Sequence, residues 1–360
     1  MRAAKEAEIV EQKLYEIIDK IQPLDRQAME AAAKRQDELT KPKGALGVLE
    51  SLSIQIAGIQ GRVRPDLSDK VVFCLAGDHG VTASGVSAYP AEVTPQMVLN
   101  FLTGGAGINV MARQIGARVV VADLGVNYDF SPPLAPLALK IRKGTADMTR
   151  GPAMTREEAV KCVLNGIELV ERESSLDILG TGDMGIGNTT PSSAITAVMT
   201  GSRPAEVTGR GTGLDDRGLT GKVAAIEKAL AVNRPDPNDA LDVLAKVGGF
   251  EIGGIAGLII GGARRRVPVI IDGFISGAGA LIACALAPRV KDYLIAAHQS
   301  VEIGHQRLLE HLGLRPLVNL DLRLGEGTGA VIGLFLAQCA AAVLNEMATF
   351  AEAGVSDKEG

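Results

Sequence analysis

An α/β fold, with an open, mostly parallel sheet and helices on both of its faces, is predicted by three features of the 360-residue chain. Short runs rich in Val, Ile and Leu recur from Lys70 onward: KVVFCLAGDHG, RVVVADLG, SLDILGTGD, VPVIIDG, YLIAAHQS and LVNLDLRLGEG. They are continuously apolar rather than alternating, as strands buried on both faces are. Longer helix-patterned segments separate them, the order of a parallel sheet built from crossover units. With 46% hydrophobic residues, the chain can bury a large core. The sheet expected is therefore of the Rossmann-like kind.

Residues 1–60 carry helical periodicity in Ile9, Leu14, Ile17 and Ile18, interrupted by the turn KPKGALG at residues 41–47. Residues 61–329 contain the apolar runs and form the large α/β domain. Small-residue helical spacing returns after Ala330, so residues 330–360 are expected to join the N-terminal arm in a smaller helical domain. Open parallel sheets bind ligands beyond the carboxyl ends of their strands. Those ends here carry Asp78, His79, Asp123, Asp183, Asp272, His298, Ser300 and Glu326, mostly among glycines, and predict one composite site.

The net charge of −5, the absence of Trp and the lack of basic stretches interleaved with aromatics argue against a nucleic-acid partner. Cys74, Cys162, Cys284 and Cys339 lie far apart in apolar surroundings, without metal-ligand spacing, and read as buried thiols of a reducing compartment. No uninterrupted apolar signal opens the chain, so a cytoplasmic protein is expected. Residues 267–287, VPVIIDGFISGAGALIACALA, are long enough to span a bilayer. Asp272, the Asp-Gly turn signal and the β-branched VPVII instead predict a buried strand, a loop and a small-residue helix, with no membrane partner.

Two glycine motifs carry the chemistry. LDILGTGDMGIGNTTPSSAI spells G-x-G-x-x-G after an apolar run, yet Glu206, at the distance of a ribose-binding acid, has no apolar strand before it. A P-loop is excluded because Val follows the only Gly-Lys pair, Gly221-Lys222. Two readings remain: a cradle for a single phosphate at a helix N-terminus, or a tight turn whose hydroxyls cap a helix. In LRLGEGTGA, Glu326 lies between two glycines, after one apolar run and before another, which predicts a semi-buried functional carboxylate of raised proton affinity. His79 reads as structural or pocket-lining. His298, His305 and His311 show no ligand spacing, and neither a metal site nor a cofactor is expected.

Taken together, AGDHGV, VTPQMVLNFLTGGAGINV, GTADMTRGPAMT, GDMGIGNTTPSSA, GRGTGLDD, IIDGFISGAGAL, AHQSVEIGH and LDLRLGEGTGA resemble, in order, the signatures of the nicotinate-nucleotide:dimethylbenzimidazole phosphoribosyltransferase family. The resemblance runs from about Thr40 to the end of the chain. It implies transfer of phosphoribose from nicotinate mononucleotide to 5,6-dimethylbenzimidazole with inversion at the anomeric carbon. The products would be α-ribazole 5′-phosphate, for the lower ligand of cobalamin, and nicotinate. It further implies that Glu326 is the general base and that Asp183 and Lys222 support it. Gly182, Gly185, Ile186, Gly187, Asn188, Thr189, Ser300 and Gly325 would hold the nucleotide and its phosphate, and the protein would be a homodimer.

For the benzimidazole, Ser87, Tyr89 and Gln96 of GVSAYPAEVTPQM, with Leu324, are the candidate pocket residues; Tyr89-Pro90 and Thr94-Pro95 equally suit a loop and a helix start. This chain has Asp183 where GEMGIGN has glutamate, which shortens the reach of that side chain but is expected to keep its charge. KPKGALG likewise departs from a form close to KPPGSLG. The alternatives to be tested are the same transfer to another acceptor base, a nucleotide-binding oxidoreductase, and a non-catalytic nucleotide-binding module.

Overall fold

A computed structural model of the chain describes residues 2–211 and 213–356. Residue 1 and residues 357–360 of the expected helical domain, and Thr212 of GRGTGLDD, lie outside the described residues.

Six strands form one sheet: β1 (Lys70–Gly77), β2 (Arg118–Gly125), β3 (Leu137–Ala138), β4 (Ile178–Met184), β5 (Val269–Ile271) and β6 (Leu294–Ala296). Their order is β3-β2-β1-β4-β5-β6, and every pair is parallel. All eight residues of β1 are buried, as its unbroken apolar run predicts. Because successive side chains point to opposite faces, Val71, Phe73 and Leu75 enter one core with Val163, Ile167, Ile255 and Ile259. Val72, Cys74 and Ala76 enter the other with Ile56, Phe101, Ile108 and Leu334.

From β1 the chain builds outward to β2 and β3, then returns to lay β4, β5 and β6 on the other side. The sheet thus reverses its winding between β1 and β4. A crevice opens at such a switch point beyond the strands' carboxyl ends, which is where a ligand is expected.

On the first face, helices Arg156–Arg172 and Phe250–Arg264 pack so closely that a Cβ on Gly166 would stand 1.9 Å from the Gly254 carbonyl oxygen. Glycine there permits backbone to approach backbone.

The structure differs from expectation in three places. The run LVNLDLRLGEG supplies no strand to the main sheet: only Val318–Asn319 (β8) is extended, pairing with His298–Gln299 (β7) in a separate ladder. Leu317 and Val318 donate their amides to Ala296 and Ala297 carbonyls, so this segment follows the chain just past β6. The sixth strand is instead β3 at the opposite edge, too short and too exposed to read as an apolar run. Of the helical N-terminal set, Leu14 is buried but Ile9 is exposed.

Helices Arg26–Glu38, Val48–Gln60 and Thr328–Glu346 pack together, joined by the cluster of Ala32, Ala57 and Leu344. Helix Arg2–Ile18 lies elsewhere, with Leu14 in the first-face core. Residues 267–287 do form a strand, a loop and the helix Phe274–Leu286. Helix Thr328–Glu346 is long and apolar enough to cross a membrane by composition, but it buries Ala330, Leu334, Ala337 and Ala341 against the sheet.

Candidate active site

At the switch point lies a cavity of about 340 Å³ walled by Val86, Tyr89, Val93, Met97, Met184, Ile186, Leu324 and Glu326, among others. A smaller hollow of about 80 Å³, its walls carrying several charged and polar side chains, adjoins it, with Asp183, Asn188, Thr189 and Leu324 common to both. His298, Ser300, Glu302, Arg323 and Gly325 line the second hollow. Two other hollows, of about 410 and 750 Å³, carry none of the strand-end acids, so chemistry rather than volume selects the site.

Glu326 is held by its backbone before its side chain is considered. Gly325, Glu326 and Gly327 are consecutive left-handed residues, with φ of 81°, 63° and 94°. Two glycines adopt that conformation without penalty, while Glu326 does so at a cost that the surroundings must offset. Asp272 clamps the turn: its two carboxylate oxygens accept from the amides of Gly327 at 3.2 Å and Ala330 at 2.9 Å. Burial pushes the Asp272 carboxyl up to about 7 against the pull of those amides.

The Glu326 side chain is pinned on one oxygen. Its Oε2 accepts from the Ile108 amide at 3.1 Å, in the first turn of helix Gly107–Gln114, where the helix dipole favours an anion. Gly107 leaves the room, since a Cβ there would lie 3.3 Å from Oε2. Burial raises the Glu326 pKa above the ordinary carboxylate range, and the Ile108 amide partly restrains it. A carboxylate so held on a cavity wall is arranged to take a proton from a ligand.

Asp183 also sits on both walls, and its Oδ2 accepts from the Asn188 side-chain amide at 2.9 Å. Burial, reinforced by Asp272, pushes its pKa up to about 8. The charge expected at this position is therefore largely absent at neutral pH. Lys222 lines neither hollow but stands behind both, donating to Thr189 Oγ1 at 2.7 Å and to the Gly209 carbonyl at 3.3 Å. Burial pulls its pKa down to about 8, with Glu302 opposing. Most of its charge survives at pH 7.

The loop after β4 turns directly into helix Thr189–Thr200, whose N-terminus faces the site. It spends several amides internally: Ile186 donates to Thr94 Oγ1, Asn188 to the Gly185 carbonyl and Thr190 to the Gly187 carbonyl. Gly185 lies so close to β1 that a Cβ would stand 2.3 Å from the Gly77 carbonyl oxygen, while Gly187 has φ of 87°. Gly182 lines neither hollow and faces the Glu326 turn, 2.4 Å from the Glu326 carbonyl oxygen to any added Cβ. Glu206, on the short helix Pro204–Val207, pairs with Arg203 and ends no strand, so the dinucleotide reading has no ribose acid.

Among the remaining predicted residues, Gly185, Ile186, Gly187, Asn188, Thr189, Ser87, Tyr89 and Leu324 line the larger cavity. Ser300 and Gly325 line the smaller one, with Ser300 Oγ donating to the Leu322 carbonyl. Gln96 does not reach the site: it lies exposed on helix Val93–Thr103, whose Val93 and Met97, four residues apart, turn inward instead.

The composite site is also narrower than the strand ends imply. Asp78 accepts from the Asn127 amide and Asp123 pairs with Lys140, so both brace loops outside the hollows. His79 is buried against Glu251 at 2.7 Å. Burial works to lower the His79 pKa, but the Glu251 carboxylate carries it above the usual value. Sequence patterns passed over Glu251, Glu302, Arg323 and Thr94; of these, Glu302, Arg323 and Thr94 lay in quoted motifs and only Glu251 did not.

A family model described as Phosphoribosyltransferase (DBI_PRT) matches residues 21–355. Nicotinate-nucleotide–dimethylbenzimidazole phosphoribosyltransferase of Roseiflexus sp. (strain RS-1) is 60% identical over 347 residues, 96% of this chain and 98% of that relative. The protein of the same name from Desulforudis audaxviator (strain MP104C) is 59% identical, covering 95% and 98%. The crystal structure of nicotinate-nucleotide-dimethylbenzimidazole phosphoribosyltransferase from Thermus thermophilus superposes with a TM-score of 0.88 at 47% identity, over 93% of this chain and all of that one.

Proposed function

The chain belongs to the nicotinate-nucleotide:dimethylbenzimidazole phosphoribosyltransferase family, and from that premise we propose how its site works: phosphoribose passes from nicotinate mononucleotide to 5,6-dimethylbenzimidazole, with Glu326 as base. The observation that carries this reading is the pinned Glu326 carboxylate on the wall of an apolar cavity that opens into the smaller hollow.

The apolar cavity takes the benzimidazole between Val86, Tyr89, Val93, Met97 and Leu324. The nucleotide's phosphate is held at the N-terminus of helix Thr189–Thr200, near Lys222. Nicotinate leaves as a neutral pyridine from a pyridinium, so its departure needs no proton donor. The burden falls on the incoming base, whose second ring nitrogen becomes acidic as the first bonds to C1′. Oε1 of Glu326, the oxygen not engaged by Ile108, takes that proton. Attack opposite the leaving group inverts the anomeric carbon and gives the α-riboside. Asp183, mostly protonated, offers a hydrogen bond beside the reacting centre, and Lys222 keeps Thr189 and the phosphate in place.

An acceptor panel assayed with nicotinate mononucleotide tests the reading. Dimethylbenzimidazole should give α-ribazole phosphate and nicotinate in equal amounts, without any nicotinamide-type redox signal. A stronger preference for adenine or a phenol would reassign the acceptor, and binding without turnover would make the protein a nucleotide-binding module.

The active enzyme is read as a cytoplasmic homodimer, with residues 61–329 as its catalytic unit and the helices of 1–60 and 330–360 as accessory. Tyr89 and Leu324 at the cavity mouth, with Val301 and Leu320 on the adjoining segment, leave an exposed apolar rim for a second copy to cover. Sedimentation should find a dimer at micromolar concentration. Monomer alone would refute this assembly.

A further inference from the structure

The smaller hollow holds a carboxylate that the transfer chemistry leaves unused. Glu302 stands immediately before helix Ile303–Leu312, is only 8% exposed and lines the hollow. Its Oε2 is sealed from solvent, and no described group donates a hydrogen bond to it. The neighbouring chain makes space for it: a Cβ on Gly209 would fall 2.0 Å from Oε2. The cation nearby does not pair with it, because Lys222 directs its ammonium to Thr189 and the Gly209 carbonyl.

A buried carboxylate oxygen without a donor is costly, so a site built around one is incomplete until a donor arrives. The nucleotide brings three kinds of polar group. Its phosphate and its ring carboxylate are anionic acceptors, which Glu302 repels. Only the ribose hydroxyls donate. We propose that Glu302 accepts a hydrogen bond from a ribose hydroxyl of the nucleotide, making it the residue that selects ribonucleotide over deoxyribonucleotide donors. The pairing uses the same chemistry as the acidic residue that holds a ribose hydroxyl in dinucleotide-binding folds. It rests on the nucleotide assignment above, but not on which acceptor base the enzyme prefers.

The test measures binding of nicotinate mononucleotide and its 2′-deoxy and 3′-deoxy analogues by calorimetry, alongside kcat and KM with dimethylbenzimidazole. The parent protein should bind at least one deoxy analogue roughly 10- to 100-fold more weakly, the cost of leaving a charged acceptor unpaired. Glu302→Ala should bring the ribo-to-deoxy ratio to within about threefold of one, with the change in nucleotide KM rather than kcat. Glu302→Gln, which keeps the shape and one acceptor oxygen, should give an intermediate ratio and serves where the alanine variant melts early.

A parent protein that does not discriminate, or a Glu302→Ala variant that keeps the parent ratio, overturns the proposal. Because the ratio is read from binding, nucleotide binding without turnover would refute the transferase reading and leave this test intact.

Discussion

Glu326→Gln is expected to keep the fold and both binding hollows while lowering turnover by about 10² to 10⁴, or roughly 3 to 5 kcal/mol of barrier. Glutamine can still accept the Ile108 amide that holds Oε2, so the left-handed turn and its Asp272 clamp should survive. What it cannot do is take the proton from the incoming base. Residual activity should remain, since the pyridinium departs unaided and the phosphate still positions the ribose.

The pH profile separates loss of a base from loss of shape. In the parent, turnover should rise with pH as Glu326, its pKa raised by burial, gives up its proton and becomes the competent base. Nucleotide affinity should then weaken above about pH 8, where Lys222 loses its charge and its pull on the phosphate. In the variant the acid limb should disappear and the alkaline limb remain. Turnover within threefold of the parent, or an unchanged acid limb, would show that another group is the base.

Most of the sheet was legible because strands buried on both faces must be apolar at every position, and β1, β2 and β4 are long enough to display it. β3 escaped because two exposed residues at an edge need no such pattern. LVNL misled for the converse reason: an apolar run can lie along the end of a sheet without joining it, and only tertiary pairing distinguishes the two.

Within the site, Glu326 was legible from its flanking glycines, because a left-handed turn leading into an apolar helix leaves a local signature. Gln96 lies a single helical position from Met97, and the rotation of about 100° between successive helix residues leaves Met97 facing inward and Gln96 outward. Asp78 and Asp123 share the strand-end position of Asp183, but Asp78 Oδ2 and both Asp123 oxygens are engaged by loops that sequence does not place beside them. Glu251, far along the chain from His79, had no local sign of its role. The motif glycines were visible, but not every reason for them: Gly185 also lets its backbone pack closely against β1.

Gly182 carries the same lesson into an experiment. It pairs with Cys74 in the middle of the sheet, and its missing side chain faces the backbone of the Glu326 turn. A Cβ there would stand 2.4 Å from the Glu326 carbonyl oxygen, 2.8 Å from its carbon and 2.9 Å from the Gly327 nitrogen. All three are backbone atoms, so no side chain can swing away to make room. β4 is held by neighbours on both sides, which leaves the turn to move. Gly182→Ala should therefore displace Glu326, and a shift of about 1 Å in a catalytic group can cost on the order of 10² in rate. The strain should also lower stability by roughly 1 to 3 kcal/mol, the usual cost of overpacking a core. Since Gly182 lines neither hollow, KM for both substrates should change little while kcat falls. A rise in nucleotide KM at unchanged kcat would return Gly182 to the phosphate site that the glycine motif first suggested. Parent-like turnover in a folded variant would mean that the turn yields without moving the base.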